Sequence, residues 1–268
     1  MKFSDPVAGS RLLLFLLLSS FLSVSCGGSV TPEMKKKQME AARDVGEVYM
    51  NESQFTLALK ELLRAEALDP SDPALQNNLG LTYLAKEMPA KAAAHFKKAL
   101  KYKPDYTAAR NNLGFALLVM EKWKEAIGVL EQVLGDVLYT TLHFPLTNLG
   151  WAYYNLGEYE KAADYYERAL EKQGRYVVAM RGLARTYRRM ERYREALEVL
   201  NQALDITPRF PPLYAEMAEI YRSAGDMRSA VIVYKKIIAL FPNTRYADDA
   251  RSRAGDLLLE SGGASPAE

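Results

Sequence analysis

The sequence predicts an all-α solenoid built from helix–turn–helix units, and three observations carry that expectation. Leu79–Gly80, Leu113–Gly114 and Leu149–Gly150 are matched pairs, the first two of them 34 residues apart. Each pair is followed at fixed distances by a tyrosine or leucine, then a small alanine, then a large apolar residue, a spacing that fits two amphipathic helices and no strand. Pro70, Pro104, Pro208 and Pro242 close four of the stretches, where a helix must end. A chain with 49% hydrophobic and 25% charged residues can bury a core, which excludes a disordered chain or a membrane bundle.

The chain opens with Lys2 and Arg11 ahead of LLLFLLLSSFL, Leu12 to Leu22, a secretory signal pattern that assigns residues 1–25 to a removable signal. This apolar stretch falls well short of the roughly 20 residues that span a bilayer as a helix. Cys26 is the only cysteine and stands at the expected cleavage boundary. LSVSC resembles a bacterial lipobox, with Ser23 where an aliphatic residue is usual, and the resemblance implies that Cys26 is lipidated. Ser23 and Ser25 also satisfy ordinary small-x-small cleavage, which would leave a secreted chain with one free thiol. A lone thiol is a liability in an oxidising compartment, and this favours lipidation. Gly27, rather than Asp, implies sorting to the outer membrane. Residues 26–38 read as a lipidated cysteine and flexible tether, with Lys35, Lys36 and Lys37 either touching anionic headgroups or forming an exposed helical turn.

In NNLGLTYLAKEMPAKAAAHFKKALKYKP, Leu79, Gly80 and Tyr83 fall on a first helix, Ala92, Phe96 and Ala99 on a second, and Pro104 closes the unit. These match positions 7, 8, 11, 20, 24, 27 and 32 of the tetratricopeptide repeat. The phase extends to six units, 39–72, 73–106, 107–142, 143–176, 177–210 and 211–244, forming a right-handed superhelix. Small residues at positions 8 and 20 let the helices of a unit approach, and large ones fill the space between units. Residues 245–260 read as a capping helix and 261–268 as a disordered tail. The third-to-fourth junction is two residues longer than the period. Gly135 is placed to end a helix, Asp136 to Phe144 to connect, and Pro145 to enter the next first turn. Such an insertion is expected to split the superhelix into two halves, with Trp151 and Tyr154 at the join.

Thirty-five basic residues against thirty-three acidic leave no field suited to nucleic acid. His95 and His143 lack neighbours at metal-ligand spacing, and neither a phosphate loop nor a nucleophile elbow occurs. No catalytic residue, metal, cofactor or small-molecule substrate is therefore expected, and binding of a protein partner remains. Positions that line the concave face of such repeats supply Leu84, Phe115, Leu118, Phe144, Trp151 and Tyr154, followed by Arg181, Arg185 and Arg188. The groove thus runs from apolar to basic and suits an amphipathic peptide with an acidic end. Inter-helix packing is the competing reading for Leu84, and a solvated stripe beside Glu191 and Glu195 is the competing reading for the arginines.

The signal with its lipobox-like cysteine, six repeats, a cap and the long junction VLYTTLHFPLTNLGWAYY together resemble the type IV pilus biogenesis lipoproteins of the PilF, PilW and Tgl type. The resemblance implies a pilotin: a periplasm-facing outer-membrane lipoprotein of a Gram-negative bacterium that promotes secretin assembly, with secretin subunits as the partner. The alternative is a periplasmic scaffold for another envelope assembly, such as exopolysaccharide export or peptidoglycan hydrolase complexes.

Overall fold

A computed structural model of the protein describes residues 31–262; residues 1–30, with the expected signal and Cys26, and residues 263–268 lie outside them. Six helix pairs and a final helix follow one another. They are α1 (Pro32–Asn51) with α2 (Phe55–Leu68), α3 (Pro73–Ala85) with α4 (Pro89–Tyr102), and α5 (Thr107–Val119) with α6 (Trp123–Leu134). Then come α7 (His143–Asn155) with α8 (Tyr159–Lys172), α9 (Val177–Arg189) with α10 (Tyr193–Ile206), α11 (Pro211–Ser223) with α12 (Met227–Leu240), and α13 (Arg245–Gly262). Helix α1 begins earlier than a tether over 26–38 allows, because Thr31 caps it, accepting from the Met34 amide at 3.2 Å, and Pro32 fits the first helical position. Helix α13 runs two residues past the expected 260.

The same three-residue turn joins the helices of every pair. Its middle residue has positive φ each time: Ser53, Glu87, Glu121, Gly157, Glu191 and Gly225, at 57° to 78°. The next amide reaches back to the carbonyl five residues earlier, as in Met88 N to Tyr83 O at 2.9 Å and Glu158 N to Tyr153 O at 3.0 Å. This is the Schellman closure, which satisfies carbonyls that the helix end would otherwise leave unpaired.

Packing within a pair depends on close approach. A β-carbon on Gly80 would stand 2.4 Å from the ring of Phe96, and one on Gly114 would stand 2.4 Å from Leu130. The absent side chain is what lets the opposing large residue bury completely, as Phe96 and Leu130 do. Successive first helices pack on one another, and each second helix touches its own first helix and the next one. The backbones of successive second helices stay further apart, bridged by long side chains such as Lys98 of α4, which donates to Glu66 of α2 at 2.9 Å. The first helices therefore form the inner, concave layer of the curve, and α13 joins that layer by packing on α11 and α12.

The long junction does not split the stack. The two extra residues, together with an α6 that stops early at Leu134, are taken up in the eight-residue loop 135–142. Asp136 ties this loop down: its carboxylate accepts from the Thr107 hydroxyl, and from the Leu138 amide at 2.9 Å. Val137 and Leu138 are left 94% and 84% exposed at its tip. Beneath the loop, Asn148 still donates to Asn111 across the junction at 3.4 Å, and one apolar core runs from Met39 to Leu257. The extra length leaves at the outer end of the helices and does not alter the faces that pack.

Candidate partner-binding groove

The concave layer carries a ladder of asparagines at its first three junctions. Asn78 donates to Glu47 at 2.6 Å, Asn112 to Asn77 at 3.0 Å and Asn148 to Asn111 at 3.4 Å, each filling the seam between adjacent first helices. At the seam between α7 and α9 the equivalent residue is Gly182, and the ladder stops. The ring of Tyr166, from α8 behind, occupies the vacated space. A β-carbon on Gly182 would stand 2.4 Å from that ring and 2.8 Å from its hydroxyl.

A cavity of about 280 Å³ opens at this seam, with Phe115, Thr147 and Trp151 on one side, Val178, Arg181 and Arg185 on the other, and Tyr166 with Gly182 between them. Trp151 is the centre of an aromatic group, its ring 6.1 Å from Phe115 and 5.9 Å, edge to face, from Trp123. Phe115 and Val178 remain 38% and 56% exposed. Large apolar side chains open to solvent beside a cavity are a feature of interaction surfaces.

The basic half is ordered by carboxylates and rings. Arg185 lies 3.4 Å from Glu216 and stacks over Tyr154 at 5.3 Å, while Arg189 covers Tyr159 at 5.0 Å. Burial holds the Glu216 carboxyl above its ordinary value, opposed by the charges of Arg185, Arg181 and Arg188. Arg188 donates to the Ser223 hydroxyl at 3.3 Å, and its buried Nε has no hydrogen-bond partner among the described residues. Arg181 has no carboxylate within 4.0 Å among the described residues.

Of the residues expected in the groove, Phe115, Trp151, Arg181 and Arg185 meet at one cavity, and Tyr154 adjoins it beneath Arg185. Leu118 does not belong to the groove: it is fully buried, its side chain absorbed into the apolar core where first helices pack. Leu84 is half-buried and packs against that core. Phe144 is exposed but stands apart, in a cluster with His143 at 4.1 Å and Tyr176 at 5.7 Å. Arg188 turns to Ser223 and does not line the cavity. Cys26 lies outside the described residues. Tyr166 and Val178 were not among the expected contacts. The signal for Tyr166 was the glycine at position 182, where earlier units carry Asn78, Asn112 and Asn148.

A family model described as Tetratricopeptide repeat matches residues 83–137 and 187–254, a second with the same description matches 145–176, and one described as TPR repeat matches 46–86. PilW, described as a widely conserved type IV pilus biogenesis factor, superposes with a TM-score of 0.74 at 21% identity, over 79% of this chain and 97% of PilW. PilF of Pseudomonas aeruginosa superposes with a TM-score of 0.68 at 18% identity, over 82% of this chain and 99% of PilF. Anaphase-promoting complex subunit 6 of Arabidopsis thaliana is 27% identical over 143 residues, 53% of this chain, and the chain spans 21% of that protein's length. The chain belongs to the tetratricopeptide repeat family, with a fold similar to that of the type IV pilus biogenesis factors PilF and PilW.

Proposed function

We propose that this protein is a non-enzymatic scaffold, held at the outer membrane by lipid on Cys26, that binds secretin subunits of the type IV pilus and promotes their assembly. The observation that supports this most is mutual coverage: PilF and PilW align over 99% and 97% of their own lengths, so the likeness extends to the whole array. A concave face with an apolar cavity beside ordered arginines suits capture of a protein segment. Helix α1 starts at Pro32, so a lipid on Cys26 would hold the array within about 20 Å of the bilayer, at roughly 3.3–3.6 Å per residue. Such a tether would suit work on a ring that assembles in the outer membrane.

Replacing Cys26 tests the reading. The Cys26→Ala chain is expected to leave the membrane fraction, and heat-resistant secretin multimers are expected to disappear from the outer membrane. Intact multimers with the Cys26→Ala chain would overturn the proposal.

A further inference from the structure

The cavity at the α7–α9 seam has an apolar wall and two polar groups with nothing to bind. The Thr147 hydroxyl is engaged, donating to its own helix at the His143 carbonyl, 2.7 Å away. Arg185 is engaged by Glu216 and Tyr154. Arg181 feels the Glu216 charge but has no carboxylate within 4.0 Å among the described residues, and no hydrogen bond joins the Tyr166 hydroxyl to another described residue, although burial holds that phenol protonated well above its ordinary range. A guanidinium and a phenol O–H are both donors, so together they call for an anionic acceptor. Phe115, Trp151 and Val178 beside them call for an apolar body. At about 280 Å³ the space lies below the roughly 300–1,000 Å³ of small-molecule pockets, which suits one large side chain better than a cofactor.

We propose that this notch receives an aromatic side chain of an extended partner segment, and that an Asp or Glu two residues away, on the same face of that segment, accepts from Arg181 and from the Tyr166 hydroxyl. The inference rests on the reading of the groove as the partner-binding face. Charge complementarity selects the occupant: Arg181, Arg185 and Arg188 outnumber Glu216 and Glu219 at this seam, so a neutral or basic segment would leave the excess uncompensated.

The probe is an N-acetylated, C-amidated hexapeptide with Phe and Glu two residues apart and Ser elsewhere, titrated into the full chain, with a Phe/Gln counterpart in which Gln replaces that Glu. Trp123 and Trp151 are the only tryptophans, so a Trp123→Phe background makes Trp151 the single reporter. The expected result is a shift in Trp151 emission, with the Phe/Gln peptide binding about tenfold or more weakly, as loss of a charge-assisted contact predicts. Arg181→Met is expected to abolish the preference for Glu over Gln with an unchanged helical melting curve, and Tyr166→Phe to reduce the preference severalfold. Equal affinity for the two peptides, an unchanged preference in Arg181→Met, or tighter binding of a Phe/Gln peptide with a free C-terminus would overturn the proposal. Copurification with secretin separates the two readings. If the peptides discriminate as described and secretin does not copurify, the pilotin reading falls and the notch stands. If secretin copurifies equally with wild type and Arg181→Met while the peptides fail to discriminate, the notch falls and the pilotin reading stands.

Discussion

The ring of Tyr166 passes so close to Gly182 that an added methyl group there would stand 2.4 Å from two of its ring carbons. The contact is between units, because Tyr166 belongs to the fourth pair and Gly182 to the fifth. Tyr166 is also pressed against Gly150 of its own pair, 2.9 Å from a notional β-carbon. Gly182→Ala should therefore cost about 1–3 kcal/mol through overpacking, offset in part by better helix propensity. Tyr166→Leu in the same chain should recover most of the loss, and chemical denaturation of the two variants checks both expectations.

The six turns inside the pairs offer a second test. Glu87, Glu121 and Glu191 hold φ at 57° to 60°, where a side chain is disfavoured. Each change to Gly should stabilise by up to about 1 kcal/mol. Gly157, at φ +78° with nothing within 4 Å of a notional β-carbon, isolates the backbone effect, and Gly157→Ala should destabilise by about 1 kcal/mol. Midpoints of urea unfolding that move together for the turn glycines would contradict this.

Acid sensitivity should originate at the two histidines, both held below 6.5 by burial, with His95 the more deeply engaged. Gln76 donates its amide to Glu66 at 3.0 Å and to the Pro70 carbonyl at 2.9 Å, so its oxygen faces His95 Nδ1, at 2.8 Å, and that nitrogen carries the proton. Burial holds the His95 pKa below its ordinary value of 6.5, with Glu66 opposing the shift and Lys98 adding to it. The unfolded chain then binds a proton that the native chain refuses, so the contribution is present above pH 6.5 and is lost as pH falls below it. His95→Gln should reduce the fall in melting temperature between about pH 7.5 and 5.5, leaving the part that comes from His143. Burial raises the Glu66 carboxyl, but hydrogen bonds from Gln76 and Lys98 outweigh it and leave the pKa below 4.5. Its contribution therefore fades in a separate, more acidic window, which Glu66→Gln would remove.

The two arginines at the cavity should separate in their effect on stability. Removing Arg185 leaves the Glu216 carboxylate, whose side chain is 19% exposed, without its 3.4 Å partner. Arg185→Met should cost about 1–2 kcal/mol, and the added change Glu216→Gln should return part of it. Arg181→Met, which breaks no ion pair, should stay within about 0.5 kcal/mol of wild type. A double-mutant cycle on Arg185 and Glu216 measures the coupling.

The repeat was legible because its residues serve contacts set by local spacing. Gly80 meets Phe96 within one pair, and Tyr83 supplies the carbonyl that closes its own helix, so both recur wherever the pair recurs. The groove was legible only in part. Leu84 and Leu118 hold the same register in successive units, yet Leu118 is fully buried and Leu84 only half-buried. Register alone cannot distinguish them, because burial depends on what the neighbouring unit presents.

By itself the sequence determined the all-α class, the 34-residue period, the glycines and prolines that shape each pair, and the aromatic-to-basic gradient along the first helices. These follow from backbone sterics and helical periodicity, which act over a few turns. Only the tertiary structure decided that the long junction is absorbed in a loop, and that Tyr166 crosses a seam to stand beside Arg181 and Trp151. Those outcomes depend on how one unit docks on the next, where side chains from different pairs compete for the same volume.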